Sequence, residues 1–164
     1  MELTMFNGII LPCKIVEGAI SINNTVSVTG DGKKPSLANQ AEQGDKVVIL
    51  GEQNGMLSVE KADGSNGTPI GFVHDHPEYD VDPVKAYTKA QAIAADMLRK
   101  CGVETPFVDV RTVDAKASES ITAGMYVEWS ADGYKKTASS GTTVSDTIAL
   151  TAQGTDNRIV IGIK

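Results

Sequence analysis

Asp-Gly and Asn-Gly pairs recur along this chain at Asp31-Gly32, Asn54-Gly55, Asp63-Gly64 and Asp132-Gly133, each between short runs rich in Val and Ile. Such pairs tolerate the positive φ that tight hairpin turns demand, so they predict many short strands folded back on one another. Before the middle of the chain the predicted strands are Ile9–Val16, Thr25–Thr29, Lys46–Glu52, Met56–Lys61 and Ile70–His74. After it they are Phe107–Val113, Tyr126–Ser130, Lys135–Ala138, Asp146–Leu150 and Arg158–Ile163. Leu57 and Val59 alternate with Ser58 and Glu60, the two-residue period of a strand with one buried face.

One hairpin is written twice. VSVTGDGKKPSLA, from Val26 to Ala38, is echoed by VEWSADGYKKTAS, from Val127 to Ser139. The alignment sets Ile20 on Ile121, Val26 on Val127, Val28 on Trp129 and Lys34 on Lys135. Each half then closes on a strand with an Ile-Gly step, Ile70-Gly71 and Ile161-Gly162. An internal duplication of a small β unit is the expectation.

The middle of the chain changes period. Asp82 suits an N-cap and Pro83 the first helical position, where a missing N–H costs nothing. Val84, Tyr87, Ala90, Ile93, Ala94, Met97, Leu98 and Cys101 follow at helical spacing, Arg99 and Lys100 suit a last turn, and Gly102 suits a stop. The spacing predicts one amphipathic helix over Pro83–Cys101 that buries Ile93, Ala94, Met97 and Leu98. The predicted fold is mainly β with this one helix, as two small antiparallel barrel- or sandwich-like halves that the helix joins. The corresponding divisions are an N-terminal β module over 1–76, connector and helix over 77–105, and a C-terminal β module over 106–164.

A net charge of −6 argues against nucleic acid and anionic membrane surfaces, both of which need clustered Lys and Arg. No run approaches the roughly 20 apolar residues of a membrane span, and the start lacks a charged and then long apolar leader, so synthesis in the cytoplasm is expected. Cys13 and Cys101 are outside any C-x-x-C motif and read as free thiols that behave as small hydrophobes.

The stretch GFVHDHPEYD is the one place where chemistry could gather. His74 and His76 would share one face of an extended strand and could share a metal, with Asp75, Glu78, Asp80 and Asp82 nearby. H-x-H-P also opens the signature of JAMM-type zinc isopeptidases, but the positions of its Ser and Asp hold Val84 and Tyr87. The favoured reading is a polar connector, with no metal, no cofactor and no catalytic residue. No G-x-S-x-G elbow, P-loop or G-x-G-x-x-G is present. Cys13 beside Pro12 and Lys14 lacks an evident His partner, and acid pairs such as Glu17 with Asp31 are no more than any acidic surface offers. Trp129, the single tryptophan, could serve as a sugar or peptide platform; its alignment with Val28 favours an inward-facing core or groove residue.

The segment SITAGMYVEWSADGYKKTASSGTT…IVIGIK, Ser120 to Lys164, resembles the capsid decoration, or cement, proteins of tailed bacteriophages and prophages. The likeness rests on a G-x-x-V-x-W hairpin, a small polar run and a terminal Val/Ile strand. It extends more loosely to Gly18–Val73 and leaves the predicted helix out. The resemblance implies a non-enzymatic virion protein, made in the host cytoplasm, that associates with itself as a homotrimer and braces a major capsid protein lattice. The competing readings are a metal-dependent hydrolase using His74 and His76, and a carbohydrate- or peptide-binding β module using Trp129.

Overall fold

The computed structural model describes residues 8–20, 40–138 and 140–164. The predicted strand Thr25–Thr29, and with it the first copy of the echoed hairpin, lies outside the described residues. The fold is mainly β with one short helix. Its elements are β1 (Ile9–Ile15), β2 (Lys46–Gln53), β3 (Met56–Lys61), β4 (Pro69–Val73), α1 (Lys89–Ala94) and β5 (Lys100–Thr105). These are followed by β6 (Asp109–Asp114), β7 (Val127–Ser130), β8 (Gly133–Lys136), β9 (Thr147–Ala149) and β10 (Arg158–Ile163).

The first five strands pair in a closed ring, β1-β3-β2-β4-β5. β5 closes it by running antiparallel to β1 from Ile9↔Thr105 to Lys14↔Lys100. The ring is not wholly antiparallel: β1 and β3 are parallel, with Cys13, Lys14 and Ile15 against Leu57, Ser58 and Val59.

The last five strands repeat this order. β6-β10-β9 form one sheet and β7-β8 a hairpin. Two isolated bridges join them, Tyr126↔Ile148 antiparallel and Ala115↔Tyr134 parallel. The circuit β6-β8-β7-β9-β10 therefore matches β1-β3-β2-β4-β5 strand for strand, including its one parallel contact. Hydrogen bonds fix the correspondence: Ile15 N–H donates to Arg99 O and Val16 N–H to Val59 O, as Ala115 N–H does to Asn157 O and Lys116 N–H to Tyr134 O. In this correspondence β2–β3 stands where β7–β8 does, which differs from the pairing of Val26–Ala38 with Val127–Ser139. The Ile-Gly steps are not equivalent either, since Ile70-Gly71 lies in β4 and Ile161-Gly162 in β10.

Two apolar clusters fill these circuits. The larger holds Leu11, Cys13, Ile15, Val47, Ile49, Val59, Ile70, Val73 and Val103 of the first ring, together with Phe107, Ile148 and Leu150 from farther along the chain. The smaller holds Ala115, Ile121, Val127, Ala149, Ile159 and Ile161. Phe107 ties the two together. It is fully buried, and a Cβ built on Gly162 of β10 would lie 2.7 Å from its ring, so only glycine fits there.

The predicted helix over Pro83–Cys101 is corrected. The α-helix is six residues long, and its N-cap is Thr88 rather than Asp82, with a capping box between Thr88 and Gln91. Lys100–Thr105 is a strand whose Cys101, Val103 and Thr105 are buried in alternation. Met97, Leu98 and Cys101 satisfy both periods locally, and the long-range pairing of β5 with β1 and β4 decides for strand. Of the predicted buried set, Leu98 is buried, Ile93 and Met97 are half-buried, and Ala94 is exposed; the helix buries Ala92 instead. Nor does α1 join two halves. It lies between β4 and β5 of one ring, so a division at 77–105 cuts into that ring.

Candidate functional site

The connector after β4 is a strap along β5. His74 N–H donates to Gly102 O, and Glu78 and Lys100 exchange backbone bonds at 3.0 and 2.7 Å. The Asp75 carboxylate accepts from Gly102 N–H at 2.6 Å, and Asp80 pairs with the Lys100 ammonium. The two histidines then go to different partners: His74 Nδ1 is 2.6 Å from Glu104, and His76 Nδ1 is 3.8 Å from Glu42. Two of the four carboxylates that could have ligated a metal beside His74 and His76, those of Asp75 and Asp80, are thus engaged with the backbone or with a cation. Among the described residues no three His, Cys, Asp or Glu side chains converge as a metal site.

The thiols face each other across β1 and β5, Cys13 opposite Cys101. Both are buried, and burial pushes each pKa up to about 12, with the neighbouring Cys101 adding to the effect at Cys13 and Asp75 at Cys101. A thiol that stays protonated at neutral pH is not a nucleophile. Both cysteines act as core hydrophobes.

Glu17 and Arg99 form a buried ion pair, each about 6 % exposed. Arg99 Nε and Nη2 both donate to the Glu17 carboxylate. Arg99 Nη2 also donates to Ala41 O at 2.6 Å, and Glu17 accepts from Ala41 N–H at 2.9 Å. Gln40 Nε2 donates to Gly18 O, so residues 17–18 and 40–41 are held side by side. Every polar atom of this cluster serves architecture, and the guanidinium is held charged despite its burial by the facing carboxylate. Asp31, the other half of the acid pair in the sequence, lies outside the described residues.

The remaining concentration of unusual side chains is on the second ring. Trp129 is 68 % exposed, which corrects the core half of its reading as an inward-facing core or groove residue. Val127 is buried, Glu128 turns out to pair with Lys135, and Trp129 returns to the face of Val127. What is missing is a cover. Trp129 pairs across the hairpin with Tyr134, and the rings meet edge to face at 5.4 Å. Beside them runs a groove of about 660 Å³ lined by Arg111, Val113, Asp114, Asp132 and both aromatics.

The groove has a structural cause. In the first ring Val59, the residue at the seam bond, is the fourth of β3, so three residue pairs fill the parallel seam. Its counterpart Tyr134 is the second residue of β8, and the hairpin turns over before it can cover more of β6. The short hairpin leaves β6 an edge strand in the sheet order β6-β10-β9. This combination of edge and exposed tryptophan is the candidate site. Of the residues weighed in the sequence, only Trp129 belongs to it; Arg111, Asp114, Asp132 and Tyr134 carried no signal as a set, because only the circuit order brings β6 beside β8. No family model, curated protein or solved structure matches this chain.

Proposed function

We propose that the chain is a structural protein of a tailed-phage type capsid, a homotrimer that decorates and stabilises the major capsid protein lattice and is carried in the virion. The observation that carries this reading is the tandem circuit. One small strand order is used twice, and both copies leave large apolar side chains on outer surfaces: Ile10 and Phe72 on the first, Trp129 on the second. Ile10 and Phe72 flank Glu104 across β1, β5 and β4, and Lys46 sits over the Phe72 ring. Repeated small surfaces suit attachment to a repeated lattice, where several weak contacts engaged together exceed any one of them. A strap and an ion pair that tie ionisable groups into the framework favour the structural reading over a hydrolase.

The test has two arms. Light scattering of the pure protein is expected to give the mass of a trimer. Co-sedimentation with empty shells of the phage or prophage whose genome encodes the chain is expected to carry it into the pellet, and moderate salt is not expected to release it. A monomer that stays in the supernatant at all shell concentrations overturns the proposal. Replacing His74 and His76 together by Ala is expected to leave mass and co-sedimentation unchanged.

A further inference from the structure

We infer that the open edge of β6 is a binding site for an extended polypeptide segment, which adds a strand beside β6 and lays an apolar side chain on Trp129. The inference rests on the structural reading above and names the surface that reading would use.

The backbone makes the first part of the case. Ala115 N–H donates to Asn157 O, which sets the hydrogen-bonding phase of β6 against β10. Asp109, Arg111 and Val113 share that phase, so Val110, Thr112 and Asp114 turn their amides and carbonyls to the other side. The next residue in this outward series, Lys116, is satisfied by Tyr134 O at 2.7 Å. Among the described residues no strand lies beyond Val110 and Thr112, while the Asp114 end of β6 is met by β8, where a Cβ built on Gly133 would lie 2.9 Å from Asp114 O. An alternating row of donors and acceptors on an edge strand is matched by another extended chain.

The first ring supplies an internal control. In the correspondence fixed by Ile15 with Ala115 and Val16 with Lys116, the residue in the place of Thr112 is Pro12. Proline has no N–H to offer, and on an edge it blocks the addition of a strand. The first ring carries proline at this position of its seam and pairs the next three residues, Cys13, Lys14 and Ile15, with β3. The second ring has neither device, and it puts its sole tryptophan there.

The side chains define the occupant's chemistry. The Trp129 and Tyr134 rings offer an apolar wall, and Asp132 stands on the groove without an ion-pair partner among the described residues. Arg111 is bound to Asp109, and Asp114 is 3.6 Å from Arg158, so the unspent charge is negative. The segment that fits is extended, with a large apolar residue for Trp129 and a Lys or Arg for Asp132.

The probe is a displayed library of random dodecapeptides, selected on the folded protein. Enriched peptides are expected to combine an apolar with a basic residue, to shift the amide resonances of Val110, Thr112 and Asp114, and to change the fluorescence of Trp129. Trp129→Ala and Thr112→Pro are each expected to weaken binding about tenfold or more. The latter removes an outward N–H without breaking a β10 bond, and a circular dichroism spectrum like that of the parent shows that it has folded. N-methylation of alternate peptide amides is expected to abolish binding with the protein untouched. The inference is overturned if no peptide is enriched, if shifts fall elsewhere, or if N-methylated peptides bind as well. It is also overturned if concentration alone shifts the β6 amides, which would make a second copy the occupant, or if only oligosaccharides quench Trp129. Shells separate this from the wider proposal. Equal co-sedimentation of parent and Trp129→Ala removes the β6 site and leaves the capsid reading; peptide binding without shell binding does the reverse.

Discussion

At the seam between its first and third strands, the first ring lays Cys13, Lys14 and Ile15 along Leu57, Ser58 and Val59. The second ring makes the same turn of the chain, and among the described residues a single bridge, Ala115 with Tyr134, joins it there. The strand order is common to both, so order alone does not decide what such a unit can do. Hairpin length does. Two more residues ahead of the seam bond in β3 than in β8 separate a seam of three paired residues from a single bridge, and the lost cover is where Trp129 becomes a surface residue. The first ring also carries the buried Glu17–Arg99 pair, for which the second has no counterpart among the described residues.

The sharpest way to break this comparison is Arg99→Ala. It strands the Glu17 carboxylate in a buried site, and a loss of about 3–5 kcal/mol in urea unfolding is expected. A loss near zero would mean that the first ring does not depend on its clamp. Next, Gly162→Ala drives a methyl group into the Phe107 ring and is expected to cost about 1–3 kcal/mol. It should loosen both clusters together, seen as parallel line broadening in the two rings.

Smaller effects sharpen the contrast. In hydrogen exchange the Val110 and Thr112 amides should exchange near the rate of unprotected groups, while Val16 and the β1–β5 amides stay protected. Cys13 and Cys101 should resist alkylation until the first ring opens, which makes thiol reactivity a reporter of that ring alone. The smallest effect is acid loosening. The Asp96 carboxyl is held below its ordinary value of 3.8, chiefly by the Lys14 hydrogen bond. At Asp45 burial pushes upward, but hydrogen bonds from Lys61 and the Glu42 amide outweigh it and leave the carboxyl lowered. A depressed folded pKa gives stability that is complete above the unfolded value and lost as pH falls through the lower folded one. Below about pH 4 the first ring should therefore weaken, by less than ~1 kcal/mol per pair because these carboxylates are partly exposed. Lys14→Met should flatten that slope.

Much of this was legible in the chain. Met56–Lys61 and Arg158–Ile163 are strands over the limits their alternation and flanking turns predict, because a two-residue period bounded by turn residues is a local signal. Lys100–Thr105 was not legible. Its Cys101 and Val103 gain their burial from β1, more than eighty residues earlier, and a local window sees only the helical spacing that leads into it. Duplication was audible in the echo, yet the correspondence the described strands support is set by hydrogen-bond phase, which composition does not carry. Trp129 shows the same limit from the other side. Its alignment with Val28 set it on the face of Val127, and whether that face is covered depends on where a different strand ends.

The larger cluster has a consequence for how the chain is made. Its first members, Leu11 and Cys13, leave the ribosome early, but the strand that closes their ring ends at Thr105, and Phe107, Ile148 and Leu150 come later still. Vectorial synthesis therefore cannot finish the N-terminal unit before the C-terminal one is nearly complete. The nascent chain must hold β1 without its β5 partner until Thr105 has emerged, the situation in which unpaired strands collect wrong partners. Pro12, in the middle of that strand, is then a safeguard on the ribosome as much as in the finished fold.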